Sequence, residues 1–251
     1  MAGSEPHTPV VSNLSPTASD ASGGTLTGGA VFIDRDGVVN EQRTGSYVHS
    51  WRDFAFLSGA VDAFIALADA NIPTFVVTNQ GGVGRGYLTA ASLSAIHDNM
   101  AASIREAGGR LDAIIHCPHS PADGCACRKP RPGMLLTLAQ RFGLALDRST
   151  FIGDNVTDLE AGRAAGVASI LVATGEGARS AMRLGLPPIT GMRATEVRCE
   201  QMPGLAAVAP GIASAVDHAI RNHRRPSEPC LQASDYIERN TVNRPARAPE
   251  H

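Results

Sequence analysis

Short apolar runs separated by stretches of helical period constrain this chain more than any other feature of its sequence. Ala30-Val-Phe-Ile33 is a continuous apolar run ending at Asp34, as expected of a parallel strand buried on both faces. Val61, Phe64, Ile65 and Ala68 then recur at helical spacing behind Ser58, a candidate N-cap, and Ile72 to Val77 is a second apolar run. Thr89 can cap a further helix with Leu93, Ile96, Met100 and Ile104 on one face, before a third run at Ala113 to Ile115. Leu135, Leu138, Ala139 and Phe142 mark the next helix, and Thr150-Phe-Ile-Gly, residues 157–165 and Ser169 to Val172 read as strand, helix and strand. This alternation predicts an α/β fold: an open, Rossmann-like, mostly parallel sheet covered by helices. Ligand should sit at the carboxyl ends of the strands, where the winding direction reverses.

Outside that pattern, residues 1–28 are rich in Ser, Thr, Pro, Gly and Ala with no hydrophobic period. They read as a disordered tail that cannot repay its ordering entropy. Past Leu186 the signal weakens, although Ile212 to Ile220 reads as one last helix; residues 224–251, rich in Pro, Arg, Glu and Asn, read as a second disordered tail. One domain, residues 29–223, is the expectation. A net charge of −2 gives no basic field for a nucleic-acid backbone. No apolar run approaches the roughly 20 residues that span a bilayer, and no basic leader precedes an apolar segment. The chain therefore reads as a cytoplasmic monomer acting on a small molecule, without nucleic-acid or membrane partners.

Chemistry begins where the first strand ends. Asp34-Arg-Asp36-Gly-Val-Val-Asn40 sets two carboxylates two residues apart as the backbone leaves the sheet, with Gly37 free to turn tightly. One carboxylate can attack phosphorus while the other protonates the leaving oxygen and later activates water, although an Asp-rich turn looks similar. Thr78-Asn79-Gln80 ends the Ile72–Val77 run, and Thr78 offers a hydroxyl to a phosphoryl oxygen. Of 22 basic residues only Lys129 is lysine, a compact charge suited to steadying phosphate. Gly153-Asp154-Asn-Val-Thr-Asp158 brings two carboxylates onto one point if a helix starts between them, and a hard cation such as Mg2+ fits oxygen ligands of that kind.

These four stretches, in this order, resemble the haloacid dehalogenase (HAD) superfamily of phosphatases. The resemblance covers about residues 30–180. It implies Asp34 as nucleophile and Asp36 as acid and base, with Mg2+ held by the Asp34 and Asp154 side chains and the Asp36 carbonyl, and Asp158 behind them. It also implies phosphate contacts from Thr78, Asn79 and Lys129. No large cap domain interrupts the chain.

Cys117-Pro-His119 and Cys125-Ala-Cys127 place three thiols and an imidazole in an eleven-residue loop, a closed tetrahedral set of the structural zinc kind, with a disulfide as the alternative. His116 flanks the loop, and Cys199 and Cys230 stand apart. Within the superfamily this small zinc loop is similar to the branch holding heptose bisphosphate and histidinol-phosphate phosphatases. Thr78 to Tyr87, Tyr47-Val-His49 and Arg128 to Gly133 resemble the heptose members more; a histidinol-phosphate substrate, a catalytically silent zinc-containing interaction module and a phosphatase of nucleic-acid ends are the other readings. A bisphosphate needs a second anion site, for which Arg85 and Arg128 offer guanidinium forks; Asn40 and His49 are further candidate substrate contacts.

Overall fold

The structure, a computed structural model, describes residues 8–13, 28–42, 47–197 and 202–223. The elements run β1 (Val10–Asn13), β2 (Val31–Ile33), α1 (Ala60–Asp69), β3 (Thr74–Asn79), α2 (Ala90–Glu106), β4 (Ala113–Cys117), α3 (Gly133–Phe142) and β5 (Thr150–Gly153). They continue through α4 (Val156–Ala165), β6 (Ala168–Val172), α5 (Gly177–Arg183), β7 (Thr195–Glu196), β8 (Leu205–Ala209) and α6 (Ile212–His223). One sheet has the order β1-β4-β3-β2-β5-β6-β8-β7, parallel except for its two edge strands β1 and β7.

The pleat sorts the apolar residues of each strand onto two faces. Val31 and Ile33 join Val76, Ile114, Ile152 and Ile170 in one cluster with α1, α2 and α6, while Phe32 joins Phe75, Val77, Ile115 and Phe151 in a second with α3 and α4. Each such side chain removed from water contributes about 1.5–3 kcal/mol. The chain leaves central β2 toward β3 and β4, then returns to its other side as β5, so a crevice opens at the carboxyl ends of these strands. Register levels that crevice: Ile33 lies opposite both Val76 and Ile152. Asp34, Thr78 and Asp154 therefore lie at the strand ends within a residue or two of one another.

Several expectations need correction. Val10–Asn13, inside the segment read as a disordered tail, is an edge strand paired antiparallel with β4, and Val11 packs on the second core. Its partner supplies what its short apolar content does not: a row of free backbone groups at the edge of β4. The rest of both tails, residues 1–7, 14–27 and 224–251, lies outside the described residues, as do Cys199 and Cys230. Ser58 does not cap α1; Gly59 occupies that position at φ 75° without a side-chain cap, whereas Thr89 does accept a hydrogen bond from the Ser92 N–H at the start of α2. Beyond Leu186 the chain holds more order than its pattern suggests, since Leu205-Ala-Ala-Val-Ala209 is a parallel strand against β6. Among the described residues no helix is long and apolar enough to cross a membrane.

Candidate active site

Lys129 sits at the centre of the crevice and is almost fully buried. Its ammonium lies 2.9 Å from Asp34 Oδ1 and 2.6 Å from Asp158 Oδ1, and donates to the Val77 carbonyl at 3.0 Å, so three oxygens surround its charge. Burial alone would lower its pKa, but the charges of Asp158 and Asp34 outweigh burial and raise it, so the side chain is a fixed cation. The Asn79 side chain braces this arrangement. Its amide donates to the Lys129 carbonyl at 3.1 Å and accepts from the Lys129 N–H at 3.0 Å. Asn79 was expected to meet substrate; its side chain instead holds Lys129, because neighbouring residues of β3 face opposite sides of the sheet and only Thr78 points with Val76.

The Arg35 N–H donates to Asp34 Oδ1 at 2.7 Å. This contact and Lys129 both fall on Oδ1, which leaves Oδ2 as the oxygen without a hydrogen-bond partner among the described residues. Asp154 stands opposite, its Oδ2 accepting from the Glu176 N–H at 2.8 Å. The backbone packs tightly around it: a Cβ on Gly37 (φ +87°) would lie 2.1 Å from this oxygen, and one on Gly175 (φ +58°) 2.0 Å. Only glycine fits either position. Asp158 closes the group from the first turn of α4, where its Oδ2 accepts the Asn155 N–H in a capping box.

The ligand oxygens of Asp34, Asp154 and Asp158 lie within 4.8 Å of one another. Three carboxylates around one ammonium leave an excess of negative charge. Burial first, then opposed by Lys129 and reinforced by Asp158, raises the Asp34 pKa to about 7. Burial and the repulsion of Asp34 and Asp158 raise that of Asp154 to about 8. A group of this kind fits a hard divalent cation, which takes oxygen ligands and offsets the repulsion. Raised pKa values mean that the metal-free fold binds protons more tightly than the unfolded chain, so its stability falls as pH climbs from 3.8 through the folded-state values. Protons and a cation compete for the same oxygens. Mg2+ alone should therefore raise the thermal midpoint more at about pH 8.5 than at about pH 6, whereas equal shifts would contradict the repulsion described here.

Asp36 is gripped from several directions. The Arg35 guanidinium donates to both its oxygens, from Nη2 at 2.8 and 2.9 Å and from Nε at 3.2 Å. Asn40 adds a donor at 3.1 Å and Gln80 one at 2.8 Å, the latter also reaching the Thr78 hydroxyl at 2.9 Å. Burial raises the Asp36 pKa, but Arg35's charge and these hydrogen bonds win and hold it below the ordinary carboxylate value. In this arrangement Asp36 is a carboxylate ready to accept a proton. Asn40, expected as a substrate contact, is fully buried and positions Asp36 instead. Arg35 and Gln80 stand inside the motifs but had no role assigned, since nothing in a sequence says which neighbour turns inward.

Arg85 and Arg128 lie away from this cluster and meet at Gly81. Arg85 Nε donates to the Gly81 carbonyl at 3.2 Å, and Arg128 Nη1 sits 3.0 Å from where a Gly81 Cβ would be. The Arg85 guanidinium covers the stacked rings of Tyr47 and Tyr87 and bonds the Tyr47 hydroxyl. His49 packs its edge on Tyr47, with Nδ1 3.0 Å from the Tyr87 carbonyl.

In the loop behind Lys129 the Cys117, Cys125 and Cys127 thiols and His119 Nδ1 converge. The Sγ atoms of Cys117 and Cys127 lie 3.6 and 3.5 Å from that of Cys125, and 3.4 and 3.2 Å from His119 Nδ1. A zinc tetrahedron with Zn–S bonds of about 2.3 Å has S···S edges of about 3.8 Å, only a few tenths longer. The residues fit zinc, and the three thiols are free of disulfides. Metal analysis should find about one zinc per chain, and Cys125→Ser should lose it and lower the thermal midpoint; an unchanged midpoint with no zinc in the wild type would remove the site.

Carboxylates, a hydroxyl and a lysine gathered in this order at the strand ends of one parallel sheet define a HAD-like hydrolase. The Hydrolase_like (HAD-hydrolase-like) family model matches residues 126–191. The chain is 42% identical over 179 residues to a D-glycero-β-D-manno-heptose-1,7-bisphosphate 7-phosphatase of Bordetella bronchiseptica, covering 71% of this chain and 94% of that relative. It is 40% identical over 160 residues to the Pseudomonas putida enzyme of the same name, covering 64% and 90%. The crystal structure of D,D-heptose 1,7-bisphosphate phosphatase from B. bronchiseptica, complexed with magnesium and phosphate, superimposes with a TM-score of 0.67 at 36% identity, covering 77% of this chain and 98% of that one. The chain belongs to this family of HAD-like phosphatases.

Proposed function

We propose that the chain hydrolyses the 7-phosphate of D-glycero-D-manno-heptose 1,7-bisphosphate, leaving the 1-phosphate, through a phospho-aspartate on Asp34. The observation that carries this reading is Asp34 itself. One of its oxygens is tied to Lys129 and the Arg35 N–H while the other is left to attack, beside Asp154. Relatives 40% and 42% identical to the chain bear the heptose name, and the crystal structure of one of them is complexed with magnesium and phosphate.

Asp34 Oδ2 attacks phosphorus in line, and the bond from phosphorus to the sugar's 7-oxygen breaks. The Asp36 carboxyl gives that oxygen its proton, which requires that the negative charge of the bound substrate leave Asp36 protonated while Arg35 still orients it. Water then attacks the acyl phosphate with Asp36 taking its proton, and inorganic phosphate leaves. Lys129 and the Thr78 hydroxyl steady the phosphoryl oxygens. Bound Mg2+, held by Asp34, Asp154 and the Asp36 carbonyl with Asp158 behind, supplies charge offset and orientation for those oxygens. Arg85 and Arg128 would receive the 1-phosphate, and Asn79 contributes by fixing Lys129. Zinc in the Cys117, His119, Cys125 and Cys127 site fixes the loop that delivers Arg128 and Lys129.

Phosphorus NMR of the reaction tests the regiochemistry. Loss of the monoester signal at carbon 7 with retention of the anomeric phosphate is expected; release of the anomeric phosphate first would overturn the reading.

A further inference from the structure

Arg35 is the largest fully buried side chain among the described residues. A buried guanidinium needs its donors satisfied. Nε and Nη2 are taken by Asp36, and Nη1 faces Nε2 of His97 at 3.1 Å. His97 lies on α2, where it is as buried as its apolar neighbours Leu93, Ile96 and Met100, so a polar ring there needs a reason. A guanidinium can only donate, so Nε2 must be the unprotonated nitrogen of a neutral ring. The surroundings agree: burial, then the charges of Arg35 and His116, push the His97 pKa well below its ordinary value. His116 of β4 packs against the other ring at 5.4 Å between centroids.

We propose that His97 is a positioning residue for the acid–base step: as a neutral acceptor it orients the Arg35 guanidinium, and through it both oxygens of Asp36. The inference rests on the reading of Asp36 as acid and base. His97 reaches neither the Asp34–Asp154–Asp158 group nor the rim around Gly81, so its influence should fall on turnover alone. Without an acceptor at Nη1 the planar fork loses the contact that fixes its tilt, and Asp36 loses the alignment that proton transfer requires.

The test compares His97→Leu, His97→Asn and His97→Gln with the wild type, measuring kcat and KM for heptose 1,7-bisphosphate and the Mg2+ concentration for half-maximal rate. The glutamine side chain can put an acceptor where Nε2 lies; asparagine is as polar but too short to reach it. Leucine and asparagine should each lower kcat by about tenfold or more, the scale of a lost hydrogen bond to a charged group. KM and the Mg2+ requirement should stay within about twofold, and glutamine should restore most of kcat. Wild-type kcat in the leucine or asparagine variant, equal losses in asparagine and glutamine, or a changed Mg2+ requirement would each overturn the proposal while leaving the phosphatase reading in place. Should the leucine variant not fold, the asparagine and glutamine pair still decides. A wild type that hydrolyses no phosphomonoester would remove the phosphatase reading itself and this proposal with it.

Discussion

Asp34→Asn is expected to abolish turnover, by about 10⁴-fold or more, while leaving the protein folded. The amide keeps the shape of the side chain but cannot form the acyl phosphate, and no other carboxylate has the right position. Asp36 is locked by Arg35, Asn40 and Gln80, Asp158 caps α4 and pairs with Lys129, and Asp154 is wedged between Gly37 and Gly175. Stability should move the other way. The raised pKa of Asp34 means that its surroundings disfavour its charge, so above that pKa the carboxylate costs the metal-free fold stability that a neutral amide does not. Without Mg2+, at about pH 8, the thermal midpoint of Asp34→Asn should equal or exceed that of the wild type. Retained turnover, measured as phosphate release, would remove Asp34 as the nucleophile.

Lys129→Met should damage both activity and stability. Among the described residues the ammonium is the one basic group that touches Asp34 and Asp158 together, and it is nearly inaccessible to water. Removing it leaves buried carboxylates facing one another with no cation between them, a loss on the order of 3–5 kcal/mol for a broken buried pair. The metal-free variant should lose most of this deficit when pH is lowered enough to protonate the carboxylates, since the repulsion then disappears. Turnover should fall by about 10³-fold, because a preorganised charge beside the transferring phosphoryl group is lost. Lys129→Arg should not rescue it: the site offers three acceptors around a point charge and no planar fork to receive a guanidinium. Urea unfolding with and without Mg2+, beside initial rates, measures both effects.

Much of this arrangement was legible in the chain, for a local reason. Asp34, Thr78 and Asp154 each follow a short apolar run directly, so the period of the run places the residue at a strand end without knowledge of the rest of the fold. The zinc set is likewise contained in one loop. Contacts made across the fold were not legible. His97 reads as one more position on the helical face with Leu93 and Met100, and only the fold, which brings α2 beside the loop after β2, reveals that Arg35 turns toward it. Asn79 stands beside Thr78 in the sequence but faces the other side of the sheet, toward Lys129. Three strands escaped for a different reason, one of them the two-residue edge strand Thr195–Glu196. Val10–Asn13 gains its order from the open edge of β4, and Leu205–Ala209 is alanine-rich and buried by its neighbours. In none of the three does intrinsic preference announce a strand.

A phosphatase site that holds a sugar bisphosphate is tested most directly by its choice among substrates. The direct measurement is kcat/KM in Mg2+ for both anomers of D-glycero-D-manno-heptose 1,7-bisphosphate beside histidinol phosphate. A preference of about a hundredfold or more for one heptose anomer over histidinol phosphate, roughly 2.7 kcal/mol of transition-state discrimination, is the predicted result. Preference for histidinol phosphate would contradict the substrate while keeping the phospho-aspartate chemistry, and no turnover of any of the three would contradict the account as a whole.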